Sequence, residues 1–199
     1  MFDDKIVNHL SKDQTLAPLL EREWVRPSKP SQGLFHDLVS AIISQQISTA
    51  AARTIRDRLT SRFTDELLTA QGIMALTEEE MRTVGLSRQK ISYITNIATH
   101  FDESGLSEED YHHMEDEEII NDLTEIKGVG RWTVEMILMH TFRRPDVFPE
   151  ADLGIQNAMI ELYKIEGKGK VLRSAMREIA EPWRPYRSYG TWALWNSLH

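Results

Sequence analysis

Gly128 and Gly130, separated by one residue, constrain the fold of this chain more than any other feature. A helical pattern runs through about 116–125 before them, and another through 131–142 after them. Glycine allows backbone conformations that other residues avoid, and it removes a side chain from the path of an approaching group. The second helix would present its unbonded N–H groups and positive dipole end directly after the turn. The segment therefore predicts a helical hairpin that can hold a phosphate, although a bare Gly-x-Gly between helices is also typical of a simple helix stop.

Most of the remaining chain also has the pattern of helices. Apolar residues recur at helical spacing near 34–43 and 88–101, and Thr77 with Glu80 fits a capping box. Ser87 and Asp152 stand where helix N-caps are expected. Further helices are expected at about 50–59, 152–163, 170–180 and 185–198. No convincing strand alternation occurs, so the sequence predicts an all-α fold.

Composition excludes several classes of protein. The chain has 199 residues, 41% hydrophobic and 27% charged, as in ordinary globular proteins. It has no cysteine, which excludes disulfides, thiolate zinc sites, cysteine-ligated iron–sulfur clusters and a cysteine nucleophile. No apolar run approaches the roughly 20 residues of a membrane span, and the polar N-terminus lacks a secretory signal. We therefore expect no membrane association and a cytoplasmic protein, nucleoid-associated if bacterial and nuclear if eukaryotic.

The net charge of −8 is unusual for a DNA-binding protein, but the charge is unevenly spread. Residues 102–122 contain ten acids and no lysine or arginine, and the rest of the chain carries +2. We expect a solvated acidic loop and helix start there, away from any phosphate backbone.

The string from Leu123 to Val134, LTEIKGVGRWTV, resembles the signature of the helix-hairpin-helix (HhH-GPD) DNA glycosylase superfamily. The resemblance implies that the hairpin binds the DNA backbone through Lys127, Gly128, Val129, Gly130, Arg131 and Thr133. It also implies that the carbonyl groups of Thr124, Ile126 and Val129 can hold a structural Na⁺ or K⁺. No other cofactor is expected. Ile126 and Val129 should also anchor the hairpin in the core.

Asp152 lies 22 residues after Gly130, within DVFPEADLGI. An aspartate before a helix is usually an N-cap. This stretch, however, resembles the segment after the hairpin in the alkylpurine branch, where the aspartate is catalytic. A carboxylate suits glycosidic cleavage because it stabilises the positive charge that develops on the sugar and can orient the attacking water. Glu150 is the nearest alternative and is expected to be a surface acid.

Trp132 stands two residues after the second hairpin glycine, where lyase-competent relatives carry a lysine nucleophile. The absence of an amine there, and of cysteine, indicates the 3-methyladenine DNA glycosylase II (AlkA-like) branch without lyase activity. That branch binds a flipped cationic base against aromatic faces. The resemblance assigns this pocket to Trp132, Trp195 and Met136, with Met136 at a position where relatives can carry an aromatic. Trp24, Trp183 and Trp192 are expected in the core.

The string IISQQISTAA, between two helical patterns, resembles the family segment that fills the gap left by a flipped base. It implies that Ile47 is the wedge and that Gln45 or Gln46 reads the minor groove, although a polar helix end with Ile47 in the core is nearly as good an interpretation. The helix start at 85–90 also resembles the family. It would either meet a phosphate or be a capped surface helix.

Together these features predict an all-α, two-lobed glycosylase fold with the active site in the cleft between the lobes. The expected boundaries are 1–34, packing with the C-terminal lobe; 35–145, with the hairpin at about 123–142; and 146–199, with the catalytic aspartate. The expected activity is base excision repair, the hydrolytic release of 3-methyladenine and 7-methylguanine from double-stranded DNA by a monomer. The alternatives are a non-catalytic helix-hairpin-helix DNA-binding module and a glycosylase for ethenoadenine, hypoxanthine or uracil.

Overall fold

The structure, a computed structural model, describes residues 3–21, 31–64 and 67–198. These parts of the chain form helices, turns and no strand, which confirms the all-α fold. The α-helices are α1 (Asp4–Leu10), α2 (Ala17–Leu20), α3 (Leu34–Ser44), α4 (Thr49–Thr60), α5 (Ala70–Ala75), α6 (Glu78–Thr83), α7 (Arg88–Ser104), α8 (Glu108–His113), α9 (Asp116–Thr124), α10 (Arg131–His140), α11 (Leu153–Tyr163), α12 (Lys170–Ala180) and α13 (Arg187–Asn196). A 3-10 helix, Glu181–Trp183, lies between α12 and α13.

Side-chain caps fix the starts of several helices. The hydroxyl of Thr77 accepts the N–H of Glu80 while the Glu80 carboxylate accepts the N–H of Thr77, which confirms the predicted capping box. Ser87 caps α7 through the N–H of Lys90, as predicted. Asp152 caps α11. The cap residues therefore set these boundaries locally, before any tertiary contact is considered.

Two compact units divide the described residues, and 30–137 form one of them. Helix α3 packs against α4 and α7, and α7 also packs against α5 and α6. The buried stripes on α3 and α7 meet in this core and include Leu38, Val39, Ile42, Ile43, Ile94 and Ile97.

The other unit combines the described parts of 1–29 with 138–199. Helix α11 packs against α12 and α13, while α2 contacts α1 and α13. The Asp13 carboxylate accepts hydrogen bonds from the Tyr163 hydroxyl (2.8 Å) and the Trp183 indole N–H (2.9 Å). Trp183 and Trp192 are buried, as predicted. The N-terminal helices are thus joined to the C-terminal helices through part-buried polar contacts.

The structure differs from the sequence-based expectations in three places. The two units divide between the described residues 21 and 31 and again after 137, inside α10, whereas the sequence predicts boundaries at 34/35 and 145/146. The acidic segment 102–122 is largely helical, because α8 and α9 begin there with acids in their first turns. The short helices α1, α2, α5 and α8 were missed. Trp24 lies outside the described residues.

None of the helices in the described ranges is long and apolar enough to cross a membrane.

Candidate nucleic-acid interface and active site

The hairpin forms as the sequence predicts, between the end of α9 at Thr124 and the start of α10 at Arg131. Ile126 and Val129 are buried and anchor the turn, which confirms their predicted packing. The N–H of Val129 donates to the carbonyl of Ile126 (2.9 Å). The first backbone bond at the head of α10 joins the N–H of Val134 to the carbonyl of Gly130 (3.2 Å). As at the start of any α-helix, the N–H groups of the first turn precede the ladder of i−4 bonds and point out of the helix end.

The two hairpin glycines serve different purposes. Gly128 has a left-handed backbone (φ +109°), and a Cβ there would lie 2.3 Å from Cγ of Tyr93. The fold itself therefore requires glycine at this position. A Cβ at Gly130 would meet nothing within 4 Å. Packing inside the described chain therefore does not explain the second glycine, whereas close approach by a ligand would.

The charged and polar hairpin residues are not all available to a ligand. Lys127 is exposed, and its carbonyl accepts the side-chain amide of Asn96 (3.1 Å). Thr133 is 3% exposed, so its side chain cannot reach a phosphate, and only its backbone N–H fits the predicted role. Val129 is likewise restricted to backbone contacts by its burial.

Arg131 is held by two carboxylates. Its guanidinium donates to Glu117 with both terminal nitrogens (3.1 and 2.5 Å) and to Glu135 through Nε (3.1 Å). The hydrogen bond to Glu117 raises the pKa of Arg131, and the same bond lowers the pKa of Glu117. Arg131 is therefore already paired with two carboxylates within the chain, and a DNA phosphate would compete with them for the guanidinium.

Trp132 and Met136 lie four residues apart on α10 and therefore share one face of the helix. Trp132 is 42% exposed, unusually high for a tryptophan, and Met136 is half-buried. The two side chains assigned to the base pocket on this helix thus present apolar surface instead of joining the core.

Asp152 is both a helix cap and part of a polar cluster. Its Oδ1 accepts the backbone N–H of Ile155 (2.9 Å) and the indole N–H of Trp195 (3.0 Å). The side chain is half-buried, and the neighbouring Leu153 is 70% exposed. Two N–H donors on one oxygen fix the orientation of the carboxylate at the head of α11.

Trp195 was predicted as a wall of the base pocket, and the structure adds a bond to the predicted catalytic residue. Its ring also stacks on His140, with centroids 6.0 Å apart and planes 17° apart. Gly154 lies against this pair: a Cβ there would lie 3.1 Å from Oδ1 of Asp152, closer than most real Cβ contacts, and 3.5 Å from Cδ1 of Trp195, an ordinary van der Waals contact. Neither His140 nor Gly154 was predicted as a site residue, although Gly154 belongs to the family-like string DVFPEADLGI.

A part-buried polar network ties α13 to the segment before Asp152. Arg187 donates to both carboxylate oxygens of Asp146 (2.8 and 3.0 Å), and Arg184 donates to the same carboxylate (2.7 Å). Ser188 is fully buried, accepts the N–H of Val147 (2.9 Å) and donates to the carbonyl of Arg144 (2.7 Å). This network fixes the strap at 144–147 against the helix that carries the indole partner of the carboxylate.

Glu150, the alternative catalytic acid, is engaged elsewhere. Its carboxylate pairs with Arg177 and lies 3.7 Å from Nε of Arg173, both on α12. The sequence predicts Glu150 as a surface acid, and the structure adds that two arginines neutralise its charge.

The predicted wedge lies in the turn between α3 and α4. Ile47 is 38% exposed and Gln46 is exposed, which favours the wedge interpretation over a core isoleucine. Gln46 has a left-handed backbone (φ +58°). Lys90, on α7, donates through Nζ to the carbonyls of Ile43 (2.6 Å) and Gln45 (2.9 Å). Burial lowers the pKa of Lys90.

The predicted site residues therefore form three local groups: the hairpin with Trp132 and Met136, the wedge turn, and Asp152 with Trp195. Residues 39–185 match the family model described as HhH-GPD superfamily base excision DNA repair protein.

Among known proteins, the chain is similar to DNA-3-methyladenine glycosylase 1 of Schizosaccharomyces pombe, with 33% identity covering 98% of this chain and 90% of that protein. A solved structure of a 3-methyladenine DNA glycosylase from that yeast, in complex with abasic DNA, superposes with a TM-score of 0.80. It shares 31% identity and covers 96% of this chain and 95% of its own. A crystal structure of a DNA-3-methyladenine glycosidase from Bacillus halodurans has a TM-score of 0.85 and 30% identity, with coverage of 98% and 89%.

Proposed function

Because the chain belongs to the HhH-GPD superfamily of base excision DNA repair proteins, we propose that it is a DNA glycosylase that hydrolyses the N-glycosidic bond of alkylated purines in duplex DNA. Its relatives at 30–33% identity over nearly the whole chain carry the name of that activity. 3-Methyladenine and 7-methylguanine are the expected products. Alkylation of the ring makes the purine a cationic leaving group, so cleavage needs little help from a general acid.

The observation that carries the chemistry is the Asp152 carboxylate, oriented by the N–H groups of Ile155 and Trp195. As the glycosidic bond breaks, positive charge develops on the sugar, and a fixed carboxylate stabilises it. The same carboxylate can orient the water that attacks the sugar. A preorganised anion is more effective than a mobile one because it does not have to reorient during the reaction.

The hairpin supplies the contacts that bind the DNA backbone. The first turn of α10 offers N–H groups and the positive end of a helix dipole, both of which favour a phosphate. At Gly130 a Cβ would meet no atom of the described chain, which leaves space for a phosphate to approach the backbone closely. The exposed Lys127 adds a positive charge at the same turn. These contacts are independent of base sequence and suit an enzyme that must survey any duplex.

A monovalent cation fits the hairpin chemically. The carbonyl groups of Thr124, Ile126 and Val129 follow one another around the turn after α9. Ile126 already accepts one hydrogen bond, and its carbonyl oxygen keeps a second lone pair. Neutral carbonyl oxygens suit Na⁺ or K⁺, which would supply a positive charge toward a DNA phosphate. We propose no catalytic role for this ion.

We also propose that the enzyme has no lyase activity, because Trp132 occupies the position of the lysine nucleophile and an indole cannot form a Schiff base. The expected product is an intact strand with an abasic site. Borohydride added during turnover should trap no covalent complex between protein and DNA, and a lyase-competent glycosylase run in parallel provides the positive control. Efficient trapping would overturn this proposal.

The function is tested with a panel of duplexes that each carry one lesion: 3-methyladenine, 7-methylguanine, ethenoadenine, hypoxanthine or uracil. We expect single-turnover release of the two methylated purines. Release of only hypoxanthine or uracil would reassign the substrate. Tight duplex binding without release of any base would identify a non-catalytic DNA-binding module.

A further inference from the structure

We infer that Lys90 is a positioning residue that holds the wedge turn, Gln45-Gln46-Ile47, in the conformation that presents Ile47 to DNA. The inference rests on the proposed function, since it concerns how the enzyme opens a damaged duplex. It starts from one contact: Nζ of Lys90 donates to the carbonyls of Ile43 and Gln45, at 2.6 and 2.9 Å. These contacts span 47 and 45 residues of sequence, so they join α7 to the far end of α3.

The two carbonyls lie where α3 ends. Ser44 is the last residue of that helix and Gln45 is its C-cap, with an extended backbone. Carbonyls at a helix end have no partner within the helix, and the helix dipole places partial negative charge there. A lysine ammonium satisfies both carbonyls at once because it carries three donors and a full positive charge. It thereby fixes the direction in which the chain leaves α3.

The backbone conformation of the next residue, Gln46, shows why these hydrogen bonds are needed. Gln46 has φ +58°, a left-handed conformation that is unfavourable for residues with a Cβ. Such a conformation persists only where the surroundings over-determine it. The turn is bounded by the Lys90 contacts before Gln46 and by α4 after it, which Ser48 caps through the N–H of Ala51. Ile47 lies between these two fixed points and is 38% exposed.

This geometry separates Lys90 from the cations expected to touch DNA. Its ammonium is half-buried and bonded to carbonyls within the chain, whereas Lys127 is exposed on the hairpin. A wedge must enter the base stack in a defined direction, since a rigid apolar side chain fills the gap more effectively than a mobile one. Loss of the Lys90 contacts should therefore impair lesion processing and leave general attraction to DNA intact.

The first test compares Lys90→Met with Lys127→Met. For Lys90→Met, we expect single-turnover release of 7-methylguanine to slow on the order of 10- to 100-fold, as for other displaced positioning groups. The dependence of undamaged-duplex binding on salt should remain that of the wild type. Lys127→Met should instead reduce the slope of log K against log salt by about 0.9, the loss of one phosphate contact. A reduced slope for Lys90→Met would overturn the inference, because it would place Lys90 on a phosphate. If Lys90→Met does not fold, Lys90→Gln takes its place; it removes the positive charge and has a shorter side chain, so slower excision with an unchanged salt dependence is again expected.

The second test uses the strained residue itself. Glycine adopts the left-handed region freely, so Gln46→Gly should make the conformation of the turn less dependent on the hydrogen bonds from Lys90. We expect Gln46→Gly to raise excision several-fold in the Lys90→Met background and not in the wild-type background. An identical effect of Gln46→Gly in both backgrounds would show that Lys90 and the turn are not coupled.

A third readout does not depend on excision. In free protein with ¹³C-labelled isoleucine methyl groups, the Ile47 resonance should shift or broaden in Lys90→Met and return toward its wild-type position when Gln46→Gly is added. An unchanged Ile47 resonance in Lys90→Met would refute the inference that Lys90 holds the wedge turn in place. Absence of alkylpurine release by the wild type would instead refute the proposed function, so the two failures are distinguishable.

Discussion

Asp152→Asn is the substitution that separates a catalytic carboxylate from a helix cap. Asparagine caps helices about as well as aspartate. Its side-chain oxygen can accept the same two N–H groups, from Ile155 and Trp195, that now converge on Oδ1. What disappears is the negative charge. The variant therefore keeps the shape of the site and removes the property that the proposed chemistry uses.

The stability change follows from the contacts of this carboxylate. Loss of its charge at the head of α11 forfeits an interaction with the helix dipole of about 0.3–1 kcal/mol. Asp152→Ala additionally loses the helix cap, about 1 kcal/mol. It also removes the acceptor of the Trp195 indole N–H. For a chain of this size, each kcal/mol lowers the melting temperature by roughly 2–4 °C. We expect a shift within about 4 °C for Asn and a larger one for Ala.

The rate change should be much larger than the stability change. Loss of one preorganised electrostatic group typically slows catalysis by about 100-fold or more, equivalent to ~2.7 kcal/mol of transition-state stabilisation. Single-turnover release of 3-methyladenine and 7-methylguanine measures this effect directly, and lesion binding measured in parallel should persist. Thermal melts of both variants complete the comparison.

Glu150→Gln is the matched control, because Glu150 is the nearest acid in sequence and is paired with Arg177 and Arg173. Its excision rate should remain near that of the wild type. Near-normal excision by Asp152→Asn, combined with a large loss in Glu150→Gln, would refute the assignment and transfer the role to Glu150.

Three further substitutions test the glycines of the site. Gly130→Asp should weaken binding to all duplexes on the order of 10-fold and retain the melting temperature, because nothing lies within 4 Å of a Cβ at this position. Gly128→Ala should instead lower the melting temperature, because its Cβ would collide with Tyr93. Full DNA binding by a folded Gly130→Asp would show that the hairpin does not anchor the DNA. Gly154→Ala, which crowds Oδ1 of Asp152, should slow excision about 10-fold without lowering the melting temperature, since alanine favours a helix. Wild-type excision would show that the carboxylate tolerates this displacement.

The sequence predicts those parts of the fold that are encoded locally. Helices α3, α7 and α10 carry long apolar stripes, and Thr77 and Ser87 mark helix starts through bonds to residues three positions away. Helices α1, α2, α5 and α8 were missed because they have only four to seven residues. Such short segments do not form stable helices alone, and their packing decides their conformation.

The site was predictable to a similar extent. The hairpin and Asp152 follow from spacing and motif, because their roles depend on the backbone and on neighbouring residues. The contact of Trp195 with Asp152 spans 43 residues, and that of Lys90 with Gln45 spans 45. Contacts of this kind arise from tertiary packing and leave no local periodicity. Thr133 shows what a motif position leaves open, since its side chain is buried and only its backbone N–H fits the predicted DNA contact.

The carboxylates around Arg131 bear on how long the protein stays at one place on DNA. Any phosphate that binds this guanidinium must compete with Glu117 and Glu135 for its positive charge and its N–H donors. The free energy gained is then a difference between two ion pairs and is smaller than the full attraction of an unpaired arginine. A weak anchor shortens the residence time on undamaged sequence and leaves the association rate largely unchanged. For an enzyme whose substrate is a rare lesion among many normal bases, rapid release from each wrong position means that more positions are inspected in a given time.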